Sequence, residues 1–89
     1  MSKTLKIFTQ PSCPKCPPAK ILGKEIEQLK NEEVQVEYFN TGEVEGMAEG
    51  AFYQVMSTPT LLLFDDQGKV IGEWRGEVPG KKEIVTKIG

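Results

Sequence analysis

The only two cysteines of this chain, Cys13 and Cys16, are the residues best suited to chemistry. They lie three positions apart, directly after an apolar run of strand type over residues 5–9. Two thiols at this spacing can interconvert between dithiol and disulfide with little backbone movement. One thiolate can attack a substrate disulfide while the second resolves the mixed disulfide. The spacing by itself predicts either redox exchange or metal ligation.

Length and composition indicate one globular domain over residues 1–89, because 89 residues are too few for two separate cores. Apolar residues make up 38% and charged residues 27% of the chain, which excludes a disordered or fibrous protein. Eleven basic side chains against 13 acidic ones give a net charge of −2 and no basic patch for nucleic acid. The longest apolar run, residues 61–64, is far shorter than the roughly 18 residues of a membrane span. We expect neither nucleic acid nor membrane as a partner.

The location of the protein bears on how its cysteines are used. The chain enters its first strand within a few residues and leaves no room for a secretory signal, so we expect a cytoplasmic protein. A reducing cytosol disfavours a structural disulfide and favours a catalytic or metal-binding pair. For a zinc or iron–sulfur site two thiolates supply only half of the four ligands, and the chain has no histidine. The metal alternative therefore needs a cysteine-bridged dimer or glutathione.

The first half of the chain reads as strand, helix, strand. After the strand at residues 5–9, apolar positions recur at helical spacing from Ala19 to about Lys30. Pro17 and Pro18 would remove early backbone hydrogen bonds from a helix that began at Cys13, so the helix is expected to start at Cys16 or Pro17. These prolines either stiffen the loop or merely mark the helix start. Alternating residues 34–39 predict the second strand.

A second amphipathic helix is predicted to follow, with Asn40 as its N-cap, Glu43 completing a capping box and an end near Met56. Its apolar residues follow the helical template without a miss, which predicts that they are buried against the sheet. They are Val44, Met47, Ala48, Ala51, Phe52 and Val55.

The second half predicts a hairpin and a short closing helix. Strands at residues 60–64 and 69–74 flank a tight turn at residues 65–68. Ile84, Val85 and Ile88 predict the last helix, with Pro79 near its first turn. The order β-α-β-α-β-β-α predicts an α/β fold with a four-stranded mixed sheet flanked by helices. The strand order stays open.

Three features together resemble the thioredoxin and glutaredoxin family over nearly the whole chain. They are the Cys-Pro-Lys-Cys motif at residues 13–16 after the first strand, the Ser-Thr-Pro-Thr segment at residues 57–60 and the order of elements. Residues 8–16 are similar to the opening of glutaredoxins, whereas residues 58–76 look like thioredoxin. The resemblance implies a thioredoxin-like fold, a cis peptide between Thr58 and Pro59 that faces the cysteines, and thiol–disulfide oxidoreductase activity.

The expected site contains two catalytic and four substrate-binding residues. Cys13 lies first, on the loop side, where free amides at the helix start and the charge of Lys15 favour its thiolate, so it should be the nucleophile. Cys16 should be the more shielded, resolving thiol. In the family arrangement the Thr58 backbone pairs with an extended substrate, and Pro59 shapes the groove and keeps the dithiol free of metal. The substrate-binding residues are predicted to be Pro14, Lys15, Thr58 and Pro59.

Several positions depart from the family pattern. Many thioredoxins carry a Trp before the first cysteine and a buried acid on the first strand, but here Ser12 and the apolar Ile7 or Phe8 take those places. Glu37 is the candidate replacement acid, although an exposed edge position is favoured for it. Residues 72–76 lack the Gly-Gly and Asp of glutathione-binding glutaredoxins, which disfavours glutathione. Trp74 is expected to cover the sheet.

The function expected from these features is the reduction of protein disulfides by dithiol exchange through Cys13 and Cys16. The only cofactor required is the protein's own dithiol. The expected partners are protein disulfide substrates and an electron donor, which is either a reductase or a small thiol. We expect a monomer. The alternative function remains metal or iron–sulfur binding by a bridged dimer, and a non-catalytic interaction module is disfavoured by the intact cysteine pair.

Overall fold

The computed structural model describes residues 2–30 and 32–89 and confirms the predicted order of elements. The one-domain prediction for residues 1–89 includes Met1 and Asn31, which lie outside the described residues. The strands and helices are β1 (Lys3–Thr9), α1 (Cys16–Leu29), β2 (Val34–Asn40), α2 (Val44–Phe52), β3 (Thr60–Phe64), β4 (Val70–Arg75) and α3 (Lys81–Ile88).

The four strands form one mixed sheet in the order β2-β1-β3-β4. Strand β1 pairs in parallel with β2 and antiparallel with β3, and β3 pairs antiparallel with β4. The β1-α1-β2 unit is therefore a parallel crossover, as the sequence predicted. Because β1 and β2 are parallel, Thr9 and Asn40 end at the same edge of the sheet. The loop that carries the cysteines leaves the sheet at this edge.

The two faces of the sheet are covered by different helices. Alternation along β1 directs Leu5 and Ile7 into the main core, where they pack with residues of α1 and α3. Phe8 faces the other way and packs with Leu62 and Phe64 in a smaller cluster on the α2 side. The main core holds α1 firmly against the sheet, and α1 in turn fixes the position of Cys16 at its start.

Helix α1 begins at Cys16, as the prolines predicted. Pro17 and Pro18 stand in the first turn, where backbone amides have no intrahelical partner, so their missing N–H groups cost no helical hydrogen bond. The helix then buries Ala19, Leu22 and Ile26 at helical spacing.

The predictions for α2 are wrong in three respects. The helix ends at Phe52, because Gln54 adopts a left-handed backbone with φ of 57° instead of continuing toward Met56. Asn40 does not cap it: Asn40 ends β2, and its side chain accepts a hydrogen bond from the Gly42 amide at 2.8 Å. Glu43 is the N-cap and makes no capping hydrogen bond through its side chain.

The third error concerns the face that α2 buries. Gly46 and Gly50 lie against the sheet, and the apolar side chains from Val44 to Phe52 that were predicted to be buried point outward. Val55, beyond the helix, is half-buried against the smaller cluster. A Cβ on Gly46 would overlap the carbonyl of Asn40, so the helix lies directly on the backbone that ends β2. The periodicity correctly predicted a row of apolar residues along one side of the helix. It could not show that the other side faces the sheet, because Gly46 and Gly50 contribute no hydrophobic signal.

The predicted β3-β4 hairpin is confirmed, and Asp65 organises its turn. One carboxylate oxygen of Asp65 accepts hydrogen bonds from the backbone amides of Gln67 and Lys69, both at 2.9 Å. Gly68 has a φ of 83°, which glycine adopts without strain. These hydrogen bonds keep the pKa of Asp65 below its ordinary value of 3.8, and the bond from the Lys69 amide has the largest effect.

We expect Asp65 to add a pH-dependent contribution to stability. A carboxyl whose pKa is lowered by folding stabilises the protein above its unfolded pKa, and this contribution disappears as the pH falls through the folded pKa. The difference in free energy of unfolding between wild type and Asp65→Asn should therefore shrink from about pH 7 to about pH 3. Urea unfolding followed by the fluorescence of Trp74 measures it. A difference that stays constant with pH would contradict this role.

Candidate functional site

Cys13 and Cys16 form a disulfide whose Cα atoms are 5.3 Å apart. The turn that joins them is held by backbone hydrogen bonds from the Cys13 amide to the Gln10 carbonyl and from the Cys16 amide to the Cys13 carbonyl, both at 3.3 Å. The first cysteine thus stands in the loop, and the second is the first residue of α1. This arrangement places the two sulfurs together at the start of α1.

The two cysteines differ in depth. Cys13 is 8% exposed and Cys16 only 2%, so Cys13 is the shallower of the two. The disulfide opens into a small recess between the end of β1, the start of α1 and the end of β2. The residues that line it are Thr9, Gln10, Pro11, Cys13, Cys16, Pro17, Lys20 and Asn40.

The start of α1 offers fewer amides to a Cys13 thiolate than the sequence argument assumed. Residues 17 and 18 have no N–H, because both are proline. The Ala19 amide already donates to the Lys15 carbonyl at 3.4 Å. Stabilisation of the thiolate by helix-start amides therefore depends on a smaller set of groups than in a helix without these prolines.

The peptide bond between Thr58 and Pro59 is cis, as the family resemblance implied. Pro59 is buried, and its carbonyl accepts a hydrogen bond from the Gly76 amide at 2.8 Å. The hydroxyl of Thr60 donates to the Ser57 carbonyl at 2.8 Å and closes the turn from the other side. Within the part of the chain that the structure describes, the backbone N–H and C=O of Thr58 make no hydrogen bond. They are available to an extended peptide.

Pro14 and Lys15 are both exposed at the tip of the loop between the cysteines. They face outward and do not line the recess. Thr58 lies in the neighbouring hollow, together with Gln10, Thr41 and Met56. Because Gln10 lines both the recess and this hollow, the two lie side by side, and we call them together the groove.

No acid from β1 lies beneath the disulfide. Ile7 and Phe8 are fully buried, and among the described residues Lys20 is the only ionisable side chain that lines the recess apart from the cysteines. Glu37 lies on the edge strand β2 with its carboxylate 3.9 Å from the ammonium of Lys6. It is not among the residues that line the recess, so the structure does not bring this candidate acid to the cysteines.

The ammonium of Lys6 forms an ion pair with the carboxylate of Glu49 on the α2 side of the sheet. Burial acts to lower the pKa of Lys6, but the hydrogen bond to Glu49 and the charge of that carboxylate outweigh it and raise the pKa. The ammonium also lies 4.9 Å from the ring centre of Tyr53. Lys6 is therefore charged at neutral pH and fastens α2 to the sheet.

Trp74 covers the sheet, as expected. It is buried in the main core, and its indole N–H donates to a carboxylate oxygen of Glu83 at 2.8 Å. This contact joins β4 to α3. Trp74 lines neither the recess nor the hollow beside it.

Sequence reasoning did not place Gln10, Asn40 or Thr41 in the site, although all three line the groove. Gln10 and Asn40 come at the ends of the parallel strands β1 and β2, which meet at one edge. Thr41 is tied to this edge by its amide, which donates to the Thr9 carbonyl at 2.7 Å. The topology of a parallel pair could have identified these three. Gly76, whose amide donates to the Pro59 carbonyl, has a φ of 78° that other residues rarely adopt, and only the fold reveals this.

Metal ligation receives no support from the arrangement. Within residues 2–30 and 32–89, no group of three or more His, Cys, Asp or Glu side chains is placed to hold a metal ion. In the same part of the chain, no helix is long and apolar enough to cross a membrane.

A cysteine pair at disulfide distance, the α/β fold and the cis proline together define a thiol–disulfide oxidoreductase. The family described as "Thioredoxin-like domain" matches residues 2–88, and the chain belongs to it. A thioredoxin of Methanocaldococcus jannaschii is 36% identical over 89 residues, which cover 99% of this chain and 95% of the relative.

Solved structures show the same fold. One, titled "Structure of a malarial protein", aligns with a TM-score of 0.85 at 11% identity and covers 99% of this chain and 94% of its own. Another, described as thioredoxin-2 of the malaria parasite's protein secretion machinery, gives a TM-score of 0.82 at 12% identity. It covers 98% of this chain and 81% of its own.

Proposed function

We propose that this protein reduces protein disulfides, with Cys13 as the nucleophile and Cys16 as the resolving thiol. The observation that carries the proposal is that Cys13 is more exposed in the groove than Cys16. The 8% exposure of Cys13 makes it the sulfur that a substrate meets, whereas Cys16, at 2%, lies behind it. Gln10 lines both the recess of the cysteines and the hollow of Thr58, where an extended peptide can be held.

The reaction proceeds in two exchanges and transfers two electrons. The Cys13 thiolate attacks one sulfur of the substrate disulfide, forms a mixed disulfide and releases the other substrate sulfur as a thiolate. The Cys16 thiolate then attacks the sulfur of Cys13, closes the Cys13–Cys16 disulfide and releases the second substrate thiolate. The two protons of the protein's dithiol end on the two substrate thiols.

The substrate segment is expected to lie across the groove. The backbone N–H and C=O of Thr58, which have no partner in the described chain, can pair with it as a neighbouring strand would. Pro59 shapes the floor beside them, and the exposed Pro14 and Lys15 contact the segment from the cysteine loop. Pairing through the backbone accommodates many sequences, as a general disulfide reductant requires.

The proposal also covers the location of the protein, its oligomeric state and the source of its electrons. The protein works in the cytoplasm as a monomer, and it needs no cofactor besides its dithiol. An electron donor, either a reductase or a small thiol, must restore the dithiol after each turnover. The family membership supports protein disulfides and a reductase as partners in general terms.

A reduction assay tests the proposal. Pre-reduced protein should reduce the disulfides of insulin, and a dithiol donor should sustain the reaction. Comparison of a thioredoxin reductase, a ferredoxin-linked reductase and glutathione as donors, with the measured midpoint potential, identifies the reductant. Failure to reduce insulin with every donor would refute the function.

Replacing Cys16 with serine is expected to trap the mixed disulfide. The first exchange still occurs, but no second thiolate is present to release the substrate from Cys13. Incubation of pre-reduced Cys16→Ser with a protein disulfide should therefore give a covalent adduct that disappears on treatment with excess thiol. Mass spectrometry of the adduct identifies Cys13 as the attached residue. Full turnover by this variant would refute the resolving role.

A further inference from the structure

Helix α2 and the loop that follows it present a row of apolar side chains to solvent. Val44 is 83% exposed, Met47 57%, Phe52 78% and Met56 92%. Ala48 and Ala51 are exposed between them. The five helical residues lie at i, i+3, i+4, i+7 and i+8, so they form one continuous face, and Met56 follows in the loop after the helix. We call this face, which consists of Val44, Met47, Ala48, Ala51, Phe52 and Met56, the α2 patch.

The fold itself keeps the α2 patch outside. At about 100° per residue, Gly46 and Gly50 lie on the opposite side of the helix from Val44 and Ala51. The close approach of Gly46 to the Asn40 carbonyl leaves no room for a side chain on that side. Glu49 and Tyr53 fix the same orientation through the ammonium of Lys6. The helix cannot rotate to bury the patch without losing these contacts.

The α2 patch is continuous with the groove that holds the disulfide. Met56 lines the hollow that also contains Thr58 and Gln10, and Gln10 in turn lines the recess of Cys13 and Cys16. A peptide that pairs with the Thr58 backbone therefore extends directly onto Met56. From there the neighbouring apolar surface is the outward face of α2. This continuity indicates that the patch and the cysteines serve the same ligand.

The part of the sequence that contains the α2 patch carries charges of one sign. No basic residue occurs between Lys30 and Lys69, a stretch that contains eight acidic ones. They are Glu32, Glu33, Glu37, Glu43, Glu45, Glu49, Asp65 and Asp66. Glu43 and Glu45 flank the patch on its two sides and are exposed.

The basic side chains that reach this region are already engaged. Lys6 pairs with Glu49 beneath the helix, and Arg75 lies 2.9 Å from a carboxylate oxygen of Glu73 while it donates to the carbonyls of Tyr53 and Gln54. The rim of the α2 patch therefore attracts a cationic partner.

We propose that the α2 patch binds the flank of a disulfide-bearing protein segment that carries apolar and basic side chains. This inference rests on the proposed function and names the class of segment that the site selects. Apolar side chains of the segment pack on Met47 and Phe52, and its Lys or Arg side chains meet Glu43 and Glu45. A second copy of this chain is a poor occupant, because a symmetric pairing of two patches would bring these glutamates together.

Peptide disulfides of designed sequence test the proposal. Two synthetic peptides carry the same intramolecular disulfide, one flanked by Leu and Lys and the other by Leu and Glu. Hydroxyethyl disulfide is the third substrate, because it is too small to reach the patch. The quantity measured is the second-order rate constant at which pre-reduced protein reduces each substrate. Wild type should reduce the Leu/Lys peptide about tenfold faster than the Leu/Glu peptide at low salt, and added salt should diminish the ratio.

Variants assign this preference to the patch. The double variant Met47→Ser/Phe52→Ser should reduce the Leu/Lys peptide about tenfold more slowly, with its rate on hydroxyethyl disulfide unchanged. Glu45→Gln should lower the preference for the basic peptide about twofold. Leu29→Ser and Glu32→Gln are matched controls, since both residues are exposed near the far end of α1, about 20 Å along the helix from Cys16. Neither control should change any rate.

Three results would overturn the proposal. The first is equal rates on the two peptides, and the second is an equal loss on peptides and hydroxyethyl disulfide in the double variant. The third is sedimentation of wild type as a dimer that Met47→Ser/Phe52→Ser dissociates, which would assign the patch to a second copy. If wild type reduces neither the peptides nor hydroxyethyl disulfide, the oxidoreductase function itself is refuted. Normal hydroxyethyl disulfide reduction without a peptide preference refutes only the patch.

Discussion

Replacing Cys13 with serine should lower the rate of disulfide reduction by at least about a thousandfold, because the variant loses the more exposed of the two sulfurs, which we propose to be the nucleophile. A hydroxyl at this position is not ionised at neutral pH and does not exchange with disulfides. Cys16, at 2% exposure, is too deep to replace it efficiently. The rate of insulin disulfide reduction by pre-reduced protein measures the loss.

The matched control for this variant is Cys16→Ser, which has lost one thiol as well. Both variants should unfold at the same urea concentration as reduced wild type, so any difference between them concerns chemistry. Cys13→Ser should form no adduct with a protein disulfide, whereas Cys16→Ser should form one. If Cys13→Ser forms the adduct and Cys16→Ser does not, the two roles are reversed.

The cysteine site could be predicted largely from sequence because its parts are local. Cys13 and Cys16 are joined by one turn, and Pro17 and Pro18 fix where α1 begins. The cis bond at Pro59 is different. Propensity favours trans at an X-Pro bond, so only the family resemblance predicted it. Gln10, Asn40 and Thr41 also line the groove, but tertiary contacts bring them together and no local pattern marks them.

The orientation of α2 shows where hydrophobic periodicity fails. The pattern from Val44 to Val55 predicts a helix, and the helix exists, but periodicity assumes that the apolar face is the buried one. Here the backbone of Gly46 packs on the carbonyl of Asn40, and this close approach fixes the inner face. The acidic residues on the rim agree with the exposure of the apolar face, since they would be costly to bury. A conflict between pattern and packing of this kind is expected at a functional surface.

Replacing Gly46 with alanine should destabilise the protein by at least about 3 kcal/mol, which is large against a total stability of about 5 to 15 kcal/mol. The added Cβ overlaps the carbonyl group of Asn40, and this contact involves backbone that cannot simply rotate away. The same carbonyl accepts a hydrogen bond from the Glu43 amide at 3.0 Å, so displacement of the helix also breaks its N-terminal turn. Urea unfolding followed by Trp74 fluorescence measures the change.

Gly50→Ala is the matched control, because it makes the same substitution one turn further along the same buried face. Its Cβ would meet Thr41 and Val55 at 3.6 Å, which is ordinary van der Waals contact. Alanine also has the higher helix propensity, so this variant should equal wild type or gain up to about 1 kcal/mol. Since Asn40 lines the recess of the disulfide, Gly46→Ala should in addition slow disulfide reduction at urea concentrations where it is still folded, and Gly50→Ala should not. Equal stability of the two variants would show that α2 does not lie on the end of β2 and that its apolar face can turn inward.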